Sequence, residues 1–267
     1  MPSFQPGLTP SRPWTATRIK WRKSRYRERK PPTSIWSGSD SFGWLKEGRS
    51  GATMHKSALI IFRHGNVFEN DEDAVWVGGN TDMSLTQAGL SQAVTAHSYI
   101  ERQYDSVLKI ISSPQLQTRL FAETIADPFG LHISLDERLR ERGFGLWEGL
   151  RDIEVRQRFG NAAIEQWEQC GTWPVGMGWT PSQEEVRSQL GTFLSEQNTD
   201  LTESMLETGT AAYHVAVTSG GVLREIYTLL TGKTCDVTLR VKPGHACVLS
   251  PDGDKWIVTN WNLDPRR

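Results

Sequence analysis

Ser57-Ala-Leu-Ile-Ile-Phe-Arg-His-Gly65 is the stretch that decides how the chain folds. Its apolar residues run without a break from Ala58 to Phe62 and stop abruptly at Arg63-His64-Gly65. A short unbroken apolar run predicts a strand covered on both faces, because a half-exposed strand would alternate with a period of two. In folds built on such strands, ligands bind beyond the carboxyl ends. The exit at Arg63 is therefore the first place to seek chemistry. A histidine there can act as a nucleophile toward phosphorus, and the adjacent arginine can hold phosphate oxygens in a fork. Gly65 lets the backbone approach a ligand closely. Standing alone, the tripeptide reads as a satisfied structural histidine.

The pattern continues downstream. A polar loop fills 65–83. Helices are predicted at 84–103, at 114–125 with Pro114 near the first turn, at 182–207 and at 220–230. A loop from Gly145 leads into a helix ending near Phe159. Strands are predicted at 107–111 and 213–218, with a closing pair at 247–249 and 256–259 around the Pro251-Asp-Gly-Asp turn. Strands alternating with helices predict an α/β fold with a mostly parallel central sheet. Two further strand exits, Ser112-Ser-Pro114 and Thr218-Ser-Gly-Gly221, carry small or polar residues where an apolar run stops. The segment Leu139-Arg-Glu-Arg-Gly-Phe-Gly-Leu-Trp-Glu-Gly149 places carboxylates beside glycines in a loop.

At 267 residues, 37% hydrophobic and 23% charged, the chain can bury a substantial core. No apolar run approaches the ~20 residues of a membrane-spanning helix, which excludes a spanning segment. Cys170, Cys235 and Cys247 show neither metal-ligand spacing nor a disulfide framework, so a reducing, cytoplasmic setting is expected. The formal net charge of −1 conceals two unlike parts: residues 1–53 hold 11 Lys+Arg against 3 Asp+Glu, and residues 54–267 hold 19 against 28. The first part is rich in Pro, Ser, Gly and Arg and lacks periodicity, which predicts a disordered basic tail ahead of a globular domain over 54–267. Other readings of the tail are a nucleic-acid-binding arm within residues 12–30, an organelle import signal, or translation that begins at Met54. A membrane partner is not expected.

The exits, in order, carry a resemblance. Leu59-Ile-Ile-Phe-Arg-His-Gly-Asn-Val-Phe-Glu-Asn70 resembles the opening signature of the histidine phosphatase superfamily, which includes phosphoglycerate mutases. Asp82–Ala93, Ser112–Glu123, Leu139–Gly149, Val217–Arg224 and Thr259-Asn-Trp-Asn262 resemble its later segments, so the likeness spans about residues 57–262. It implies a three-layer sandwich and phosphoryl transfer. The resemblance makes His64 the nucleophile that becomes phosphorylated and Glu141 the general acid for the leaving oxygen. It places Arg63, Asn70 and Gly220 around the phosphate, and it implies no metal and no organic cofactor. The expected activity is hydrolysis of a small phosphorylated metabolite. The alternatives are a mutase-type transferase and a protein that binds phosphorylated ligands or a partner without turnover.

Two positions depart from the pattern. The second arginine of that family's pocket aligns with Gln117, and its second histidine with Ser219. Both can donate only neutral hydrogen bonds, which are weaker than charge-assisted ones. Arg119 lies about 200° around the helix from Gln117 and should point elsewhere. His245 is a candidate replacement, though a turn residue is the plainer reading. Glu148 reads equally as a helix-start acid or a substrate contact, and Arg140, Arg142 and Arg151 read as a solvated ring. Trp147, Trp167, Trp173 and Trp179 read as core packing before stacking platforms. Gly78-Gly79-Asn80 lacks the strand-helix context of a nucleotide loop.

Overall fold

The computed structural model describes residues 56–71, 74–234 and 239–267. The tail over 1–53, the alternative start at Met54 and Cys235 lie outside the described residues. The apolar run forms β1 (Ala58–Arg63), which Arg63 itself ends. It is followed by α1 (Gln87–Gln103), β2 (Val107–Ser112), α2 (Leu116–Ala126), β3 (Ile133–Leu135), α3 (Asp152–Phe159), α4 (Asn161–Cys170), α5 (Gln183–Thr208), β4 (Tyr213–Thr218), α6 (Gly220–Thr231), β5 (Ala246–Asp252) and β6 (Lys255–Leu263).

The six strands form one sheet in the order β3-β2-β4-β1-β5-β6. β3, β2, β4 and β1 run parallel, while β5 pairs antiparallel with β1 and β6 antiparallel with β5. The continuous apolar run of β1 follows from its central place. Ala58, Ile60 and Phe62 pack into one layer with Tyr99 and Ile100 of α1 and Phe121 and Ile125 of α2. Leu59 and Ile61 pack into the other with Leu190 and Phe193 of α5 and Leu223 and Ile226 of α6. Each fully buried Leu, Ile or Phe contributes about 1.5–3 kcal/mol, so the three layers are held chiefly by these two apolar faces. Among the described residues, no helix is long and apolar enough to cross a membrane.

Local chemistry sets the helix starts. Thr86 caps α1, its hydroxyl accepting from the Gly89 N–H, so Ser84 and Leu85 precede the helix instead of opening it. Ser182 and Glu185 form a reciprocal capping box at the start of α5. Two elements carry too little pattern to be expected from sequence. β3 is only three residues long, and α4 buries only Ile164 and Trp167, at a spacing of three, among polar neighbours. α4 belongs to a third, smaller core in which Trp147, Trp167 and Trp179 are buried with Phe144, Val155 and Ile164. Trp173 is partly buried against this cluster and against the α5–α6 layer. These tryptophans pack together, as their sequence context suggests, and Trp167 also lines the cavity beyond the strand exits.

Candidate active site

Hydrogen bonds bring the strand exits together. The His64 N–H donates to the Thr218 carbonyl at 3.0 Å, the Arg63 N–H to the His245 carbonyl at 3.0 Å, and the Ser113 N–H to the Val217 carbonyl at 3.1 Å. Beyond them opens a cavity of about 600 Å³ whose lining includes Arg63, His64, Gln117, Glu141, Ser219 and Gly220.

His64 is buried, with Nδ1 2.8 Å from the Gly65 carbonyl. A carbonyl only accepts, so Nδ1 carries the proton and Nε2 keeps its lone pair. Burial, and then the charge of Arg63, press the His64 pKa down to about 4 against a smaller opposing effect of the Gly65 carbonyl. The ring is therefore neutral at pH 7. Arg63 donates from Nη1 to the Val241 carbonyl at 2.8 Å. Burial, and then the charge of Arg240, lower its pKa to about 10, with Glu141 opposing, so it stays cationic at neutral pH. Arg63 Nε and Ser219 Oγ are both buried without a partner. A buried polar group left unpaired costs about 1–3 kcal/mol. Two such groups on residues lining one cavity fit a ligand that brings acceptor oxygens.

Glu141 is fixed from several sides. Its Oε1 accepts from the Arg142 N–H at 3.0 Å and Nε at 3.2 Å, and its Oε2 from the Gly221 N–H at 2.9 Å. Its own N–H donates to Oε1 of Gln115, whose Nε2 donates to the Gly78 carbonyl. The next residue, Gly79, lies so close to the Glu141 carbonyl that a Cβ there would collide with it. The Gly78-Gly79 pair thus braces the carboxylate loop. Gln115 braces it too and went unnoticed in the sequence, where a buried glutamine carries no motif. Arg142 departs from the solvated reading. It is only 2% exposed, with Nη1 3.4 Å from Glu225 Oε1 and its guanidinium carbon 4.5 Å from the Trp173 ring centroid. The reason is tertiary: Glu141, Glu225 and the tryptophans surround it with charge and π-faces.

The other expected residues divide. Gln117 lines the cavity and accepts the Met83 N–H at Oε1, which leaves Nε2 as the end able to donate to a ligand. Ser219, in the N-cap position of α6, lines it as well. Asn70 does not; it is exposed on the bend between Phe68 and Asp71, while Asn66 lines the cavity and accepts from Thr86 at its carbonyl. Arg119 is absent from the lining, in keeping with its angle on α2. His245 sits in a turn, its N–H donating to the Lys242 carbonyl and its Nδ1 to the Asn262 carbonyl. Glu148 accepts from the Thr81 hydroxyl and Arg140 pairs with Glu137, both away from the cavity, whereas Arg151 lines it. Arg224, the last residue of the Val217–Arg224 segment, also lines it, as does Arg240, which no signal in the sequence marked. Arg224 is committed, donating to the carbonyls of Trp167 and Glu168.

The profile of the histidine phosphatase superfamily (branch 1) matches residues 59–264. The glucosyl-3-phosphoglycerate phosphatase of Mycolicibacterium vanbaalenii is 26% identical over 186 residues, 68% of this chain and 78% of its own length. A 2,3-bisphosphoglycerate-dependent phosphoglycerate mutase of Hamiltonella defensa is 26% identical over 158 residues, 56% of this chain and 61% of its own. Among solved structures, a mycobacterial glucosyl-3-phosphoglycerate phosphatase complexed with VO3 shares the fold with a TM-score of 0.65 at 23% identity, covering 78% of this chain and 99% of that one. With its exits in order and its cavity at their meeting point, the chain belongs to the histidine phosphatase superfamily, branch 1, alongside relatives that include phosphatases.

Proposed function

We propose that the protein hydrolyses a small phosphomonoester through a phosphorylated His64. One observation carries this reading: a neutral His64, its Nδ1 proton held by the Gly65 carbonyl and its Nε2 lone pair free, lines one cavity with Arg63 and Ser219, whose Nε and Oγ are buried without partners. In the first step the Nε2 lone pair attacks phosphorus, a P–N bond forms and the P–O ester bond breaks. Glu141 enters this step as the neutral acid, gives its proton to the leaving oxygen, and is left as a carboxylate beside Arg142. In the second step water attacks phosphorus, the P–N bond breaks, and the water's proton returns to Glu141 as phosphate leaves. Arg63 neutralises developing charge on the phosphoryl oxygens, with Gln117 Nε2 and the Ser219 hydroxyl as neutral donors. Relatives named for glucosyl-3-phosphoglycerate support a phosphorylated metabolite as substrate. Hydrolysis is favoured over mutase action because a mutase must retain and reposition a phosphorylated intermediate, which neutral Gln117 and Ser219 hold less firmly than an arginine and a histidine would.

The test is turnover of p-nitrophenyl phosphate and a panel of sugar, nucleotide and glycerate phosphates by the full chain, with His64→Ala alongside. Turnover that disappears in His64→Ala is the expected result. Rates equal to those of the variant on every substrate would replace this reading with ligand binding without catalysis.

A further inference from the structure

The resemblance puts Gln117 where a second cation is expected, and the described residues hold a limited set of other arginines able to compensate. Arg224 is fixed on backbone carbonyls. Arg142 is buried against Glu141 and Glu225. Arg119 does not line the cavity, and Arg151, which does, is held at 3.2 Å by Glu154 in the first turn of α3. Arg240 lines the cavity, as Arg151 and Arg224 do, but differs from them in that the residue next to it, Val241, is bound by Arg63. Its nearest carboxylate, Glu168, is 3.6 Å away, against 3.2 Å between Arg151 and Glu154. The Arg240 side chain is 54% exposed, so the pair is loose and solvent-screened.

The backbone around Arg240 is bound to the nucleophile's strand exit. Arg63 Nη1 donates to the carbonyl of Val241, the very next residue. The Gly244 N–H donates to the Arg63 carbonyl at 3.1 Å, and the Arg63 N–H to the His245 carbonyl at 3.0 Å. Pro243 lines the same cavity. The segment 240–245 is thus tied to the nucleophile's strand exit, and it contributes Arg240 and Pro243 to the cavity lining. The charge of Arg240 also acts on Arg63 strongly enough to rank next after burial in lowering that group's pKa. Two cations that repel each other across a cavity are relieved when an anion enters between them.

We propose that Arg240 is a substrate-contacting cation: it leaves Glu168 when a phosphomonoester binds and clamps the transferring phosphoryl group opposite Arg63, in the role the sequence leaves vacant at Gln117. The proposal rests on the phosphatase reading for its catalytic part, but not for its binding part. A dianion competes better than one carboxylate for a guanidinium, since the pairing is bidentate and carries more charge.

The test measures orthovanadate binding and p-nitrophenyl phosphate turnover for the full chain, for Arg240→Gln and for Arg156→Gln. Arg156 pairs with the same Glu168 at 3.5 Å but does not line the cavity, so it controls for loss of a charge near that carboxylate. Arg240→Gln is expected to weaken vanadate binding and kcat/KM by about 10- to 100-fold, with Arg156→Gln within about twofold of the parent. Adding Gln117→Arg to Arg240→Gln is expected to restore at least part of both losses, which a merely structural role for Arg240 would not allow. Arg240→Gln within twofold of the parent in vanadate binding overturns the proposal, as does a parent chain that binds no vanadate. If the parent binds vanadate but turns over no phosphomonoester, the phosphatase reading fails while the binding comparison still decides the role of Arg240.

Discussion

The Gly221 N–H donates to Oε2 of Glu141 at 2.9 Å, joining the first turn of α6 to a carboxylate 80 positions earlier. A Cβ at position 221 would sit 2.5 Å from Glu141 Oε1 and from Arg142 Nη2. Glycine is therefore required there by proximity: the helix start must approach the carboxylate to orient it.

Gly221→Ala accordingly displaces Glu141 from the cavity. A displacement near 1 Å costs about 100-fold in rate. The expected outcome is a kcat loss of that order with a smaller change in KM, read from steady-state kinetics. A variant with parental kcat would show that Glu141 tolerates the shift.

Ser219→Ala should separate activity from stability. The hydroxyl is buried without a protein partner, so removing it relieves an unsatisfied group and the melting temperature should hold or rise. The same hydroxyl is proposed to donate to the phosphoryl group, so kcat/KM should fall about tenfold, the worth of one neutral hydrogen bond. Equal losses in both measurements would make Ser219 a purely structural residue.

Arg142→Leu should destabilise the fold by about 3–5 kcal/mol, because it leaves the buried Glu141 and Glu225 carboxylates short of their shared cation. Denaturant titration measures this. Glu225 retains Arg187 at 2.8 Å, so a loss well below this range would mean that Arg187 suffices.

Stability should fall in mild acid. Burial lowers the pKa of His64 and of His214 to about 4, helped by the charge of Arg63 in the first case and of Lys109 in the second. In the unfolded chain both titrate near 6.5, so between pH 6.5 and 4 the unfolded state binds more protons and stability rises with pH. The contribution is fully present above about pH 6.5 and is lost progressively toward pH 4, at about 3 kcal/mol for each histidine. Unfolding free energies of the parent and His214→Gln across this window check it, the variant showing the shallower slope. Nitrogen NMR should find His64 neutral, with its proton on Nδ1, from pH 8 down to 5; a midpoint near 6.5 would contradict the burial argument.

Much of this protein is legible in its sequence. The run from Ala58 to Phe62 is apolar throughout because β1 lies centrally between two helical layers, and burial on both faces is a local property written residue by residue. Thr86 and Ser182 announce helix starts through their own hydroxyls. The exits at Arg63, Ser112 and Thr218 are visible for the same reason, since an apolar run that stops is a local event. What escaped was either short or non-local. β3 offers three residues to a pattern that needs more, and α4 hides its two buried positions among polar ones.

Tertiary structure alone decided the company each side chain keeps. Asn70 sits in the expected signature yet outside the cavity, whereas Arg240 sits in no signature and lines it. Arg142 reads as a surface arginine until Glu225 and Trp173, far along the chain, enclose it. Hydrophobic patterning acts through the solvent and needs only a residue's neighbours in the chain. Electrostatic and hydrogen-bonded neighbourhoods act over a few ångströms in space, so they exist only once the sheet has brought β1, β4 and the segment after α6 together.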